Sequence, residues 1–224
     1  MMTRKHLDVA SLIRHYVARE DYTGWFEALY AQAELNPEAI PWAHMATNPY
    51  LERWIERERP DGSGKRALVV GCGLGDDAEA LVDLGFAVTA FDISPSAISW
   101  CQGRFPESVV TYRVADLFDP PGDWQGRFDL VLESRTVQAL PMKLWEQATE
   151  NIANFLALPG TLLVICLARD PDGPVGNVPQ PLSADDLQLF EKHGLTQERF
   201  EDYIDPDISP ARRFRVTYRR IVRG

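Results

Sequence analysis

Three glycines at alternate positions follow a short apolar run near the end of the first third of the chain. Residues 67–70 have the composition of a buried strand, and Gly71, Gly73 and Gly75 come directly after them. Glycine adopts backbone torsions closed to other residues and lets a ligand approach the main chain closely. Asp76 then occupies a predicted helix N-cap. A strand, a glycine turn and a helix start together predict a mononucleotide-binding corner.

An acidic residue stands where such a corner needs a partner for a ribose. Phe91, Asp92 and Ile93 end the next apolar run, and Asp92 lies 92 − 71 = 21 residues after Gly71. An acidic residue about 20 positions on, at the tip of the second strand, can accept hydrogen bonds from ribose hydroxyls. We therefore expect Asp92, with Ile93 beside it, to bind the ribose of a nucleoside ligand.

The glycine spacing narrows the choice of ligand. The dinucleotide fingerprint is G-x-G-x-x-G, whereas this chain has G-x-G-x-G followed by Asp76 and Asp77. Two acids at a helix N-terminus would repel a pyrophosphate. S-adenosylmethionine, which has a ribose and a positive centre but no phosphate, suits the corner better. We expect it to contact Gly71, Cys72, Gly73 and Gly75. The alternative is a structural glycine turn of another α/β protein.

Strands and helices alternate from residue 66 onward. The apolar patterns predict strands 66–71, 87–92, 109–114, 128–132, 161–167, 195–204 and 211–221, and helices 76–84, 95–104, 142–157 and 183–193. Such alternation is typical of an open, doubly wound, Rossmann-like sheet whose ligand lies beyond the strand C-termini. Val216 and Tyr218 alternate with polar residues, which predicts an antiparallel edge strand.

The segment before residue 65 has a different character. It predicts two helices within residues 8–34, a further helix at 48–58 and a polar linker. We therefore divide a single-domain chain into a helical lid or cap segment, 1–64, and a core, 65–224. Aromatic residues are dense in the first part, and composition alone supports a lid and a core role for them about equally. We assign the lid role to Trp25 and Trp42, and a core role to Phe26, Tyr30 and Trp54.

Polar residues also follow the third and fourth predicted strands. Asp116 is placed to accept a hydrogen bond from an adenine amino group, with Leu117 packing on the ring. Its alternative role is to form the turn. Glu133 and Arg135 follow the fourth strand next to the switch point of the sheet, where the methyl donor would lie. Polar residues directly after a buried strand are costly unless they line a cleft. The alternative there is an exposed helix start.

Charge and cysteine content limit the class of partner. The net charge of −10 and the pI near 4.9 argue against nucleic acid, since backbone binding needs a basic surface. No apolar run approaches the roughly 18 residues of a membrane span. Three cysteines without metal-ligand spacing predict reduced thiols in a cytoplasmic protein and no metal site. The expected partner is therefore a small-molecule methyl acceptor.

The ordered set of motifs resembles the thiopurine, thiol and halide/thiocyanate methyltransferases within the class I methyltransferases. It comprises Gly71-Cys72-Gly73-x-Gly75-x-Asp77, Phe91-Asp92-Ile93-Ser94, Arg104-Phe105-Pro106, Ala115-Asp116-Leu117-Phe118, Phe128-Asp129-Leu130, Ala139-Leu140-Pro141, Pro159-Gly160-Thr161-Leu162, Pro181-Leu182-Ser183 and an early Pro41-Trp42. The resemblance implies a seven-stranded, mostly parallel sheet with its last strand antiparallel. It also implies that Trp25 and Trp42 close over the cofactor.

The chain departs from this family at positions that concern the acceptor. Ala43 replaces the usual Asp after Pro-Trp, and Val69 replaces an acid common in the wider fold. Residues 133–137 replace the aromatic run that the thiol and halide members carry after the fourth strand. These changes leave methyl transfer as the expected activity, but they leave no named acceptor.

The expected reaction is an in-line displacement at the sulfonium methyl group, with a thiol among the candidate acceptors. Glu133 is the candidate for contact with the acceptor or, equally, the cofactor, and Arg135 and Gln138 are candidates for orienting a polar or anionic acceptor. Two alternative functions remain at this stage. One is a nicotinamide-dependent oxidoreductase on the same sheet, and the other is a non-catalytic S-adenosylmethionine-binding protein.

Overall fold

The computed structural model describes residues 8–174, 178–205 and 209–221 and contains one seven-stranded sheet. The strands are β1 Arg66–Val70, β2 Ala87–Asp92, β3 Thr111–Val114, β4 Phe128–Ser134, β5 Leu156–Leu167, β6 Thr196–Asp205 and β7 Ser209–Arg220. Their order is β3-β2-β1-β4-β5-β7-β6. β7 is antiparallel to both of its neighbours, β5 and β6, and the pairs among β1 to β5 are parallel. This arrangement confirms the predicted Rossmann-like fold.

Helices lie before the sheet in the chain and between its strands. They are α1 Val9–Val17, α2 Gly24–Ala33, α3 Pro49–Glu58, α4 Asp76–Val82, α5 Pro95–Arg104, α6 Trp145–Phe155, α7 Ala184–Leu187 and α8 Leu189–Lys192. Short 3₁₀ turns occupy Pro37–Ala39, Gly122–Trp124, Val137–Ala139 and Met142–Leu144. None of the helices in the described ranges is both long enough and apolar enough to cross a membrane.

Several boundaries differ from the sequence prediction. The fourth strand continues through Ser134, because Glu133 pairs with Val70 on one side and Val164 on the other. The last predicted helix is two short helices, α7 and α8, which meet at Gln188.

The predicted N-cap of α4 was also wrong. Gly75, with φ of +92°, is the N-cap, and Asp76 is the first helical residue. The two oxygens of Asp76 accept hydrogen bonds from Arg104 at 2.7 Å each. The Asp76 carboxylate is therefore committed to an ion pair with α5.

The prediction of an edge position for β7 was wrong as well. β7 lies between β5 and β6, and β6 forms the edge of the sheet. A charged residue of β7, Arg215, is fully buried. It donates to Glu201 of β6 at 2.8 Å and to the carbonyl oxygen of Tyr50 in α3 at 2.7 Å. The charged residues of β7 therefore include one, Arg215, that is paired inside the protein rather than facing water.

The N-terminal helices pack on the sheet layer in two places. Residues of α2, including Leu29 and Tyr30, share a buried cluster with Trp100 of α5. Residues of α3, including Leu51 and Trp54, share another with β1. The predicted division at residues 64 and 65 stays a prediction, and its ends, 1–7 and 222–224, lie outside the described residues.

Candidate cofactor and acceptor site

A cavity of about 360 Å³ lies beyond the carboxyl ends of β1, β2 and β4. This volume falls within the roughly 300–1,000 Å³ that small-molecule sites occupy. Its wall combines the glycine turn after β1, the loops after β2, β3 and β4, and the N-terminal segment. Parallel strands direct their carboxyl ends to one edge, which is where a ligand of this fold binds.

The glycine turn is held in backbone conformations that side chains disfavour. Gly71, Gly73 and Gly75 have φ of +59°, +55° and +92°. A Cβ on Gly71 would lie 2.4 Å from Oγ1 of Thr136, and one on Gly75 would lie 2.6 Å from the hydroxyl oxygen of Tyr112. Both torsion and packing therefore require glycine at these two positions.

Asp92 is a buried carboxylate in the cavity wall. Its Oδ2 accepts a hydrogen bond from the N–H of Gly73 at 3.0 Å, and Oδ1 accepts one from the N–H of Ser94 at 3.0 Å. Burial raises the pKa of Asp92 to about 6, although these bonds oppose the shift. Each oxygen retains accepting capacity, which suits ribose hydroxyls. Ile93 lies beside Asp92 in the wall.

The loop after β3 supplies another part of the wall. Asp116, Leu117 and Phe118 all line the cavity. Oδ1 of Asp116 accepts a hydrogen bond from the N–H of Phe118 at 2.8 Å, so the turn-forming role is present. A carboxylate has a second oxygen, which leaves an acceptor for an adenine amino group. Its adenine contact stays a prediction.

Four aromatic side chains of the N-terminal segment, which we call the cover, line one part of the cavity: Trp25, Phe26, Tyr30 and Trp42. Trp25 stacks on Phe26 with ring centroids 3.8 Å apart and meets Trp42 edge-on at 6.0 Å. Nε1 of Trp42 donates to the hydroxyl oxygen of Tyr30 at 2.8 Å. All four residues line the cavity. Trp54 lies in the core, as expected. The core assignment of Phe26 and Tyr30 is thus incomplete, because they also face the site.

Glu27 links the cover to the start of α5 by hydrogen bonds. Its Oε2 accepts hydrogen bonds from the Ser94 hydroxyl at 2.6 Å and from the N–H of Ser96 at 3.0 Å. Its Oε1 accepts one from the Ser96 hydroxyl at 2.7 Å. Sequence reasoning missed this contact, because a glutamate on an amphipathic helix carries no signal of a specific partner.

Asn48 forms a second attachment at the start of α3. Its N–H donates to Oδ1 of Asp77 at 2.7 Å, and its Nδ2 donates to Oγ of Ser134 at 3.1 Å. Asn48 therefore bridges the start of α4 and the end of β4. All three residues line the cavity, and Asn48 was not predicted as a site residue.

Glu133 lies beside the cavity rather than in its wall. The side chain is 0% exposed, and Oε1 accepts hydrogen bonds from the N–H groups of Thr136 at 2.6 Å and Val137 at 3.0 Å. Oε2 has no partner among the residues that the structure describes. Burial raises the pKa of Glu133 to about 7. The carboxyl group thus stabilises the turn after β4, which differs from the expected direct contact with acceptor or cofactor.

Arg135 and Gln138 both line the cavity. Arg135 has φ of +67°, and its N–H donates to the carbonyl oxygen of Ile165 at 2.9 Å. Oε1 of Gln138 accepts a hydrogen bond from the N–H of Leu167 at 2.6 Å. The remaining predicted residues, Gly71, Cys72, Gly73, Gly75, Trp25 and Trp42, line the same cavity. Apart from Glu133, the structure therefore brings the predicted site residues together.

The middle of the chain matches a family model described as a methyltransferase domain, over residues 67–160. Ubiquinone biosynthesis O-methyltransferase of Xanthomonas campestris pv. campestris (strain B100) is 34% identical over 110 residues, which are 48% of this chain and 45% of that protein. The corresponding protein of Thiobacillus denitrificans is 32% identical over 96 residues, covering 42% and 41%. The chain thus matches less than half the length of these curated relatives.

Solved structures show the same fold. One, described as "Conversion of a Disulfide Bond into a Thioacetal Group during Echinomycin Biosynthesis", has a TM-score of 0.71 and 23% identity and covers 90% of this chain and 93% of its own. The 1,6-didemethyltoxoflavin-N1-methyltransferase of Burkholderia thailandensis, with bound 1,6-didemethyltoxoflavin and S-adenosylhomocysteine, has a TM-score of 0.63 and 15% identity and covers 99% and 92%.

These comparisons show a methyltransferase domain over residues 67–160 and support S-adenosylmethionine as its cofactor. The wall fits this cofactor: it offers the Asp92 and Asp116 carboxylates to hydroxyl and amino groups, glycine backbone for close approach, and aromatic surface.

Proposed function

We propose that this chain transfers a methyl group from S-adenosylmethionine to a small-molecule acceptor, and that the acceptor atom is a thiol sulfur. One observation carries the proposal. A single cavity joins the glycine turn and the buried Asp92 to the cover, which includes Trp25 and Trp42. The first two suit a nucleoside, and the aromatic rings of the cover suit the apolar part of a small acceptor.

S-adenosylmethionine would supply a methyl group bonded to a sulfonium sulfur. When that bond breaks, the neutral thioether S-adenosylhomocysteine leaves and needs no protonation. The chain must therefore bind the donor, hold an acceptor in line with the methyl group, and exclude water. Asp92 binds the ribose hydroxyls, and Asp116 accepts from the adenine amino group. Trp25 and Trp42 exclude water, since Trp25 is itself only 2% exposed and Trp42 is fixed by its bond to Tyr30.

A thiol acceptor agrees with the position of Glu133. An oxygen or amine acceptor needs a base within hydrogen-bond reach. Glu133, the expected candidate, lies outside the cavity wall, and the wall residues that could take its place are His44 and Asp77. A thiol with a pKa of about 8.5 ionises with little help. The resemblance of the motifs to the thiopurine and thiol methyltransferases points the same way.

Binding of the donor is the first test. We expect S-adenosylmethionine and S-adenosylhomocysteine to bind the purified protein in calorimetric titrations, and we expect Asp92→Asn to weaken both by about tenfold or more, because a charge-assisted bond is lost. Asp123→Asn, which changes an exposed acid outside the cavity wall, is the matched control. Binding of NADH in place of both compounds would instead favour the oxidoreductase.

Transfer is the second test. Benzenethiol, catechol and aniline are offered with S-adenosylmethionine, and methylated products are measured by mass spectrometry. Methylation of the thiol ahead of the other two supports the proposal. Methylation of catechol or aniline alone overturns the thiol assignment, and donor binding without methylation of any acceptor favours the non-catalytic alternative.

A further inference from the structure

Arg135 places a cationic side chain in the cavity wall without an ionic partner. Among residues 8–174, 178–205 and 209–221, its guanidinium makes no side-chain hydrogen bond and no ion pair within 4.0 Å. Two other partly or fully buried arginines behave differently: Arg104 pairs with Asp76, and Arg215 pairs with Glu201. Because a guanidinium carries five N–H donors, leaving it unpaired in a half-buried position destabilises the protein.

The backbone of Arg135 adds a second cost at the same position. Its φ of +67° lies in the left-handed region, where glycine is the residue without a steric penalty. The bond from its N–H to Ile165 fixes this conformation where the chain leaves β4. A strained residue that also carries an unpaired charge is the combination that points to a functional rather than a structural role.

Charged groups of both signs lie near Arg135, but none of the described acids forms an ion pair with it. Asp77 and Glu133 favour the charged form of Arg135 but lie beyond ion-pair distance, and burial lowers the pKa of Arg135 more than they raise it. Glu133, with a pKa of about 7, is partly protonated at neutral pH. Arg213 on β7 is close enough that the charge of Arg135 lowers its pKa further, after burial.

Gln138 offers a neutral donor in the same wall. Its Oε1 is occupied by the N–H of Leu167 at 2.6 Å, which fixes the orientation of the side-chain amide. No acceptor for its Nε2 is found in the part of the chain that the structure describes. An oriented N–H donor and a guanidinium in one wall are a suitable pair for an oxyanion.

We infer that the acceptor of the proposed reaction carries a carboxylate or similar oxyanion, bound by the Arg135 guanidinium with the Gln138 amide as a second donor. The inference rests on the proposed function, because it names the chemical class of the acceptor. The Phe26 and Trp42 rings and the aliphatic side chain of Leu140 in the same wall suit the apolar remainder of such a molecule.

The test compares acceptors that differ only in a carboxylate: para-mercaptobenzoate with benzenethiol, and protocatechuate with catechol. Each is titrated into the protein with and without S-adenosylhomocysteine, and kcat/KM for methylation is measured in parallel. Three proteins are compared: wild type, Arg135→Gln, and the matched control Arg113→Gln, which changes an exposed arginine of β3 outside the cavity wall.

We expect wild type and Arg113→Gln to bind the carboxylate-bearing member of each pair about 10- to 100-fold more tightly, as a charge-assisted contact predicts. Arg135→Gln removes this preference and leaves the affinity for S-adenosylhomocysteine within about threefold. Equal binding of both members by wild type overturns the inference. An equal loss of affinity for para-mercaptobenzoate and benzenethiol in Arg135→Gln also overturns it, because the guanidinium would then act on the thiolate.

Two further outcomes separate this inference from the proposed function. If Arg135→Gln lowers the affinity for S-adenosylhomocysteine as much as the affinity for the two acids, the guanidinium binds the carboxylate of the donor. The inference then fails, whereas the proposed function stands. Conversely, an Arg135-dependent preference for the acids without any methylation supports the oxyanion site and counts against the proposed transfer.

Discussion

The buried carboxyl group of Glu133 predicts a stability that falls as the pH rises. Its pKa is about 7 in the folded protein, against 4.5 for a free glutamate, a difference of about 2.5. At 1.36 kcal/mol per pKa unit, this corresponds to about 3 kcal/mol of unfolding free energy. Between pH 4.5 and 7 the unfolded chain releases the proton and the folded chain keeps it. The folded state therefore loses stability across this range, and the loss is complete above pH 7.

Glu133→Gln isolates this contribution. The amide oxygen of the new side chain still accepts from the Thr136 and Val137 N–H groups, but it does not titrate. We expect the unfolding free energy of the variant minus that of wild type to increase by about 3 kcal/mol between pH 4.5 and 8. Urea unfolding followed by circular dichroism at several pH values measures it. Asp77 and Asp92 titrate in both proteins and therefore cancel in the difference.

The pH dependence, rather than the absolute difference, tests the reasoning. A glutamine leaves a buried NH₂ donor at the position of Oε2, which costs about 1–3 kcal/mol at every pH and moves the whole curve. Glu107→Gln, which changes an exposed glutamate, should run parallel to wild type. A Glu133→Gln curve that is also parallel to wild type would show that the carboxyl group is not desolvated in the folded state.

Two substitutions test contacts that fix the glycine turn and the cover. Glu27→Ala should lower the unfolding free energy by about 1–3 kcal/mol, because it leaves partly buried donors of Ser94 and Ser96 unpaired; an unchanged urea midpoint would contradict this. Gly71→Ala should lower it by about 1–3 kcal/mol, because its Cβ meets Thr136 and its φ is +59°; a thermal melt equal to that of wild type would refute the packing argument.

The sequence predicts those strands whose burial depends on the apolar character of consecutive residues. The runs that became β1, β2 and the second half of β5 are apolar on both faces, so their burial and parallel pairing follow from composition. The position of β7 does not follow in this way. Contacts between residues that are distant in the sequence determine its partner strands. Among them are the hydrogen bonds of Arg215 to Glu201 and to α3.

The same distinction applies to the site. The glycine turn and Asp92 follow one another at fixed spacing within one strand–helix–strand unit, so the sequence identifies them. Packing of the N-terminal segment brings three further residues to the site, Glu27, Tyr30 and Asn48. No fixed spacing in the sequence predicts this packing. Glu133 shows how a small boundary error changes a role. Since β4 continues past the predicted end, the alternation of strand faces directs its side chain into the interior.

The cavity wall extends beyond the shared domain in both directions. The family match ends at residues 67 and 160, whereas Trp25 and Trp42 precede it and Leu167 and Pro179 follow it. The matched segment holds the glycine turn and Asp92 together with Arg135 and Gln138, whereas the aromatic part of the wall lies outside it. Changes outside residues 67–160 can therefore alter this part of the wall without altering the glycine turn or Asp92. Chimaeras that exchange residues 8–58 between relatives would separate the contribution of this part of the wall from that of Arg135 and Gln138.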